Sequence, residues 1–256
     1  RLLKVTDTSS GTPLYHNAFH YVDGSDASVE FAYDSNGNLT ADLDKGVELS
    51  YNRLNLPVEA VCGEGAFAYR YDRNGAKLVE RFGYGLSSSD GMLMPVPVGL
   101  SAQPLSVSGE YRFDEAAYSG DIVRLRSGTG RIGDRADNLT GEELQVRHAD
   151  GYVSFTGQLP TYHYFIRDYQ GNVVAVVSSE GDVEQRTHYY PYGGWYGEST
   201  EPLAQERKYG GKELELTAGV NWYDFGARLQ RPDLCRFQTM DPLAEKYYGV
   251  SPYAYC

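Results

Sequence analysis

Tyr33-Asp34-Ser35-Asn36-Gly37 returns 38 residues later as Tyr71-Asp72-Arg73-Asn74-Gly75, and Asp168-Tyr169-Gln170-Gly171 is a third copy with Arg167 in place of the tyrosine. Each copy is an aromatic or basic strand end, an Asp able to bond its own downstream backbone, two turn residues and a Gly free to take positive φ. Between alternating stretches, such a turn signals a β-hairpin. A chain that repeats one hairpin builds an array, and arrays more often hold or bind than catalyse. Asp34, Gly37, Asp72, Gly75, Asp168 and Gly171 are therefore expected to be turn residues. The fold they predict is all-β: a curved, twisted antiparallel sheet of repeated hairpins, with one short helical turn near the C-terminus.

Working outward from the turns, Val29, Phe31 and Tyr33 alternate, as do Val47, Leu49 and Tyr51, and Phe67, Tyr69 and Tyr71. Tyr33, Tyr51 and Tyr71 are spaced by 18 and then 20 residues, which fits a two-strand unit of about twenty residues. Asn52 to Pro57 reads as a turn. Residues 83–109 are rich in Gly, Ser and Pro, and the prolines Pro95 and Pro97 forbid a central strand, so this stretch reads as a long loop or insertion. Strands resume at Glu110 to Phe113, with further candidates at Asp121 to Arg126, Leu144 to Arg147 and Tyr152 to Phe155. Tyr162 to Arg167, Asn172 to Ser178 and Val183 to Tyr190 read as a three-stranded meander closed by Pro191-Tyr192-Gly193-Gly194. Asp241-Pro242 has the form of an N-cap followed by Pro at the first helical position, leading into Leu243 to Tyr248 and stopped by Gly249.

The composition belongs to a globular chain: 41% hydrophobic and 23% charged over 256 residues. Tyr is over-represented, at 23 against 9 Phe and 2 Trp, and its ring suits a pleated surface with one wet side. The net charge of −12 argues against nucleic-acid or anionic-membrane partners, which need a cationic footprint. No stretch is apolar and long enough to span a bilayer, so no membrane insertion is expected. The N-terminus starts in mid-pattern and carries no signal peptide, so the chain reads as a fragment of something longer. Cys62, Cys235 and Cys256 are far apart and odd in number, and read as unpaired, mostly buried thiols.

The ordered motifs resemble the Rhs/YD-repeat family and its repeat-associated core. They are the Tyr-Asp-x-x-Gly turns, Tyr189-Tyr190-Pro191-Tyr192-Gly193, Lys208-Tyr209-Gly210-Gly211-Lys212-Glu213-Leu214, Asn221-Trp222-Tyr223-Asp224-Phe225-Gly226-Ala227-Arg228 and Arg236-Phe237-x-x-x-Asp241-Pro242-Leu243. The tail Tyr247 to Cys256 is in the style of gut-type Bacteroidetes members. The resemblance implies YD-repeat hairpins over 1–82, an insertion over 83–109 and the core over 110–256, with the best match at 160–256. It implies a secreted or cell-surface shell that encloses a C-terminal toxin or cargo domain of the same polypeptide in bacterial competition. Trp222, Tyr223, Arg228 and Pro242 carry the core motif. Relatives cut themselves with an aspartyl pair, and Asp241-Pro242 matches the first half of that motif. Ala244 stands where the family usually has Gly, and the chain reaches Cys256 before a second Asp motif. Asp241 thus reads as half a site, and its helix-capping role explains it without catalysis.

Other chemistry is not indicated. His16 and His20 have the i, i+4 spacing of a zinc-hydrolase helix, but Asn17 stands where its Glu belongs. Counted from Asp34, the sixth and twelfth positions hold Leu39 and Lys45, so an EF-hand loop fails and Asx-turn chemistry is the better reading. No nucleophile elbow, P-loop or dinucleotide fingerprint occurs. No cofactor, metal or enzymatic activity is expected. An alternative role is a surface carbohydrate-binding or adhesion module, since exposed Tyr rings stack on sugars and Asp or Asn bond hydroxyls.

Overall fold

The computed structural model describes residues 1–8, 19–63, 65–84, 86–87, 93–94, 110–131, 138–195 and 205–255. His16, Cys256 and most of the 83–109 stretch lie outside them. The protein is all-β. Strands β1 (Phe31–Tyr33), β2 (Leu39–Asp42), β3 (Val47–Tyr51), β4 (Pro57–Cys62), β5 (Gly65–Tyr71) and β6 (Lys77–Tyr84) follow one another with short turns. A minor pair, β7 (Leu86–Ser87) and β8 (Leu93–Met94), precedes β9 (Glu110–Ser119), β10 (Ile122–Arg131), β11 (Asn138–His148) and β12 (Gly151–Thr156). Then come β13 (Leu159–Arg167), β14 (Val173–Ser178) and β15 (Val183–Arg186). Thirteen of these strands, all but β7 and β8, hydrogen-bond in chain order as one antiparallel sheet that ends at β1 and β15 and does not close. Four more, β16 (Glu213–Glu215), β17 (Trp222–Asp224), β18 (Leu229–Arg231) and β19 (Arg236–Phe237), form a second antiparallel sheet.

One turn is used over and over. In it the first residue's N–H bonds the carbonyl four residues on, and the fourth residue's N–H bonds the first residue's carbonyl. This pair of bonds recurs with Asp34, Asn52, Asp72, Asp168, Ser178, Tyr190 and Lys208 in first place. The fourth residue always has positive φ: Gly37 at 85°, Asn55 at 58°, Gly75 at 88°, Gly171 at 85°, Gly181 at 93°, Gly193 at 93° and Gly211 at 68°. This is a tight turn closed by a left-handed bulge residue, whose twist matches that of the flanking strands. The pairing register shifts one step before the first residue in each hairpin, at Tyr33, Tyr51, Tyr71, Arg167 and Val177.

Where Asp, Asn or Ser stands in first place, its side chain locks the turn. Asp72 Oδ1 accepts from the amides of Asn74 and Ala76, both at 2.8 Å. Asp168 Oδ1 does the same for Gln170 and Asn172 at 2.9 Å, and Asn52 Oδ1 for Leu54 and Leu56 at 2.8 and 3.1 Å. Ser178 Oγ reaches Glu180 and Asp182 at 3.2 and 3.1 Å. Only a short side chain ending in an acceptor reaches both amides, which is why Asp recurs and why Asn and Ser substitute for it.

The chain forms two compact units, residues 1–45 with 162–256 and residues 46–161. In the second unit, β3 to β6 and β9 to β12 are neighbours in that order. β6 pairs directly with β9, Tyr84 facing Arg112, so residues 85–109 are an excursion between adjacent strands. Aromatic rings pack on the ladder: Phe67 lies tilted 4.6 Å from Phe82 across β5 and β6, and stacks 6.0 Å from Tyr69 along β5. Glu115, nearly buried, bridges Arg81 at 2.5 Å and Arg126 at 3.0 Å, tying β6, β9 and β10 on one face. Strands β9 to β11 run longer than the sequence suggests. Ala116, Ala117, Gly128 and Gly141 interrupt the alternation of large side chains in them, yet the backbone ladder continues. The expected short C-terminal helical turn is a single 3-10 turn at Ala244–Lys246.

Candidate functional site

The motif residues gather in the unit formed by 1–45 and 162–256, where two hairpins dock on the second sheet. Tyr223 is fully buried at its centre, and its hydroxyl donates to the Gly193 carbonyl at 2.8 Å. Burial pushes that phenol well above its ordinary pKa, so it stays a donor. Trp195, Leu214, Tyr209 and Phe225 pack around it, and the Tyr209 ring lies 6.1 Å from both Tyr223 and Tyr255. Trp222, on the opposite face of β17, is 2% exposed.

The first docking seam holds the Asp34 turn. Leu39 donates its amide to the Gln238 carbonyl at 3.1 Å, and Tyr253 donates its hydroxyl to the Gly37 carbonyl at 2.8 Å. A buried charge cluster fastens the same seam. Arg231 on β18 donates from Nη1 to Asp42 at the end of β2, and from Nε and Nη2 to Asp233 at 3.0 and 2.5 Å. Lys45 Nζ lies 3.7 Å from Asp233 and donates to the Gly219 carbonyl at 3.3 Å. Burial raises the Asp42 carboxyl above its usual range, against the pull of Arg231. Burial also pushes on Asp233, but its hydrogen bonds and attraction to Arg231 outweigh that and hold it low.

The second seam holds the Asp168 turn. Val173 donates to the Lys208 carbonyl at 3.1 Å, in the same place in the turn as Leu39 in the first seam. Gly210 donates to Asn172 Oδ1 at 2.7 Å, and Tyr189 donates its hydroxyl to the Val173 carbonyl at 2.6 Å. Each seam thus joins the first strand residue after an Asp turn to the C-terminal sheet region.

The Gly37 and Gly171 turns allow a matched test. A Cβ on Gly37 would lie 2.4 Å from Met240 Sδ and 2.8 Å from the Tyr253 hydroxyl, whereas one on Gly171 would meet nothing within 4 Å. Gly171→Ala is expected to cost about 1–2 kcal/mol from left-handed backbone strain alone. Gly37→Ala is expected to cost about twice that, because Met240 and Tyr253 must also move. Equal urea midpoints for the two variants would show that the Gly37 seam is loosely packed.

Asp241 is half-buried. Its Oδ1 accepts from the Leu243 amide at 2.7 Å and its Oδ2 pairs with Arg228 Nη2 at 2.9 Å. The Arg228 guanidinium lies 3.7 Å over the Phe237 ring. Leu243, and not the expected Asp241, holds the N-cap place of the 3-10 turn; the Asp241 carboxylate holds the residue before that turn and pairs with Arg228 of the core motif. Pro242 is exposed. Cys62 is buried as expected, whereas Cys235 is exposed, at a turn position with φ of 54°. His20 is exposed.

Sequence reading missed three features. Arg231 and its near neighbour Asp233 meet Asp42 only because β2 docks on β18. Lys208 was read as part of a motif but not as a buried amine. Asp23, Glu30 and Asp44 bring carboxylate oxygens within 4.8 Å of one another. There Lys4 sits 3.1 Å from Glu30 and Tyr21 donates to Asp44 at 2.5 Å, so local partners already answer much of that charge.

No protein-family model matches the chain. An antiparallel, hairpin-repeat fold of this kind occurs in solved toxin complexes. The TcdB2-TccC3 crystal structure without its hypervariable C-terminal region gives a TM-score of 0.64 at 17% identity. The TcdB2-TccC3-Cdc42 crystal structure gives 0.63 at 17%, and the Photorhabdus luminescens Tc holotoxin pore gives 0.61 at 18%. Each match covers 87% of this chain and 10% of the other. At this identity the likeness is one of fold, consistent with the Rhs-related architecture that the motifs imply. Among curated proteins, the Salivary gland surface protein 1 of Aedes aegypti is 36% identical over 97 residues, spanning 37% of this chain and 3% of that protein. No helix among the described residues is long and apolar enough to cross a membrane.

Proposed function

We propose that this chain is a wall segment of a secreted or cell-surface container, of the Rhs repeat-associated type found in gut Bacteroidetes, that encloses a toxin or cargo domain of the same polypeptide. The single observation that supports this reading best is the reuse of one locked turn to lay strands side by side in chain order. Such a sheet grows by repetition, which suits an enclosing wall better than a reaction centre. The shared fold with toxin complexes adds support. Within this reading Asp241 is a structural partner of Arg228, and Trp222, Tyr223 and Arg228 hold the C-terminal sheet on which the hairpins dock.

The test is limited proteolysis of the natural polypeptide that contains these residues, with an epitope tag at its C-terminal end. The tagged domain is expected to survive until urea unfolds the wall, and then to be digested at once. A polypeptide that ends with the wall, or a tagged domain digested as fast as the isolated one, overturns the reading.

A further inference from the structure

Lys208 and Gln185 meet in a place that water does not reach. Lys208 is 1% exposed and Gln185 0%. Lys208 Nζ donates to Gln185 Oε1 at 2.6 Å, and Nε2 of the same carboxamide donates to Thr187 Oγ1 at 3.0 Å. Thr187 is also fully buried. The Trp195 ring closes the far side, 5.6 Å from Nζ. Among the described residues Lys208 has no carboxylate at ion-pair distance, and Glu206 acts on it only through space. Burial lowers the amine to about 7, so much of it carries a free lone pair at neutral pH and nearly all of it in mild alkali.

A buried amine facing a neutral amide is a costly choice for a core, where an apolar side chain of similar length fills the same space. What the pairing supplies is a nucleophile and an acyl group in contact. Because a C=O bond is about 1.23 Å long, Nζ lies no more than about 3.8 Å from Gln185 Cδ, close to the reach of a near-attack geometry.

We propose that Lys208 and Gln185 join in an intramolecular isopeptide cross-link. The Nζ lone pair attacks Cδ and a C–N bond forms, placing the carbonyl electrons on Oε1. A proton passes from Nζ to Nε2, the Cδ–Nε2 bond breaks and the Oε1 double bond re-forms. One amine and one primary amide become one secondary amide and one ammonia, with no change of oxidation state. Thr187 is a positioning residue that holds the leaving nitrogen. The ammonia passes to bulk solvent during local opening of the core, and its dilution there leaves the new bond no ready reverse path. The link spans 23 residues of sequence and fixes β15 to the turn that receives Val173.

The test is the intact mass of the chain, kept folded at about pH 8, where a lysine of lowered pKa is unprotonated, and then denatured. The expected mass is short by one ammonia, and a tryptic digest is expected to yield one branched peptide carrying both residue 185 and residue 208. Formation is expected to speed up about tenfold from pH 6 to pH 8 and then level off, following the unprotonated amine. Gln185→Glu is expected to lose water in place of ammonia, while Lys208→Arg and Gln185→Met keep their full masses. Full mass in wild-type protein shown to be folded by circular dichroism overturns the proposal, as does an ammonia loss that maps to other residues.

Discussion

Arg231→Met is expected to cost the unit formed by 1–45 and 162–256 about 3–5 kcal/mol, because it leaves two buried carboxylates without their counter-charge. Asp42 and Asp233 have side chains 3% and 7% exposed, so water does not replace the lost guanidinium. Lys45 does not take over, since it lies 3.7 Å from Asp233 and its own amine is pulled down by burial. The two acids are not equivalent. The raised Asp42 carboxyl sits where the ionised form is disfavoured, so Asp42→Asn is expected to be nearly neutral. The depressed Asp233 carboxyl sits where the ionised form is favoured, so Asp233→Asn is expected to be the worse change.

The pH profile separates them further. Asp233 contributes stability above the unfolded carboxylate pKa of about 3.9, and that contribution is lost as pH falls through its lower folded value. Asp42 works in the opposite sense, its contribution being lost as pH rises through its raised folded value. Removing Asp42 therefore leaves the acid loss of Asp233 unopposed, and Asp42→Asn should show a steeper fall in stability below about pH 5 than wild type. Urea unfolding followed by tryptophan fluorescence reads this directly, since Trp195 and Trp222, the chain's 2 tryptophans, both lie in this unit. An Arg231→Met midpoint close to wild type would mean that the cluster is hydrated and the seam is held by backbone bonds alone.

Tyr223→Ala is expected to cost a further order-of-magnitude equal amount, about 3–5 kcal/mol, by emptying the centre of the C-terminal sheet. The ring is wholly buried, and Gly193 approaches so closely that a Cβ there would lie 2.9 Å from Tyr223 Cε2. Such tight surroundings are held apart by turn geometry and collapse poorly into a cavity. Tyr223→Phe keeps the ring but strips the Gly193 carbonyl of its donor, and is expected to cost about 1–2 kcal/mol. Thermal melts of the two variants should therefore differ by several degrees. If Tyr223→Ala melted with Tyr223→Phe, the hydroxyl and not the ring would be what this position supplies.

The turns were legible because their chemistry is local. Asp34, Asp72 and Asp168 bond amides two or four residues away, and Gly37, Gly75 and Gly171 take the positive φ that their position demands. The remaining turns were harder to see as copies, because Asn55 stands in the glycine place and Asn52, Ser178, Tyr190 and Lys208 in that of the aspartate. The seams were not legible at all. Asp42 and Arg231 are 189 residues apart, and no local pattern marks either as a partner of the other. The core motif named Trp222 and Tyr223 without saying that both would be buried, and it did not distinguish the charged Arg231 from a surface residue. The Asp-Pro pattern marks Asp241 as a helix N-cap, but Leu243 holds that place, and the Asp241 carboxylate bonds the Leu243 amide and Arg228 instead.

The chain-order ladder has a consequence for how the protein is made. Apart from β6 and β9, which are separated by residues 85–109, neighbouring strands of the large sheet are joined by short connections, so their pairing meets little loop entropy. The β1–β2 hairpin is different, because its receiving groups at Arg231 and Tyr253 lie 189 and 216 residues further along the chain than Asp42 and Gly37. Until they emerge, Asp42 and the open flank of this hairpin wait without them, and synthesis of residues 231–253 is the moment at which these distant stretches can close on each other.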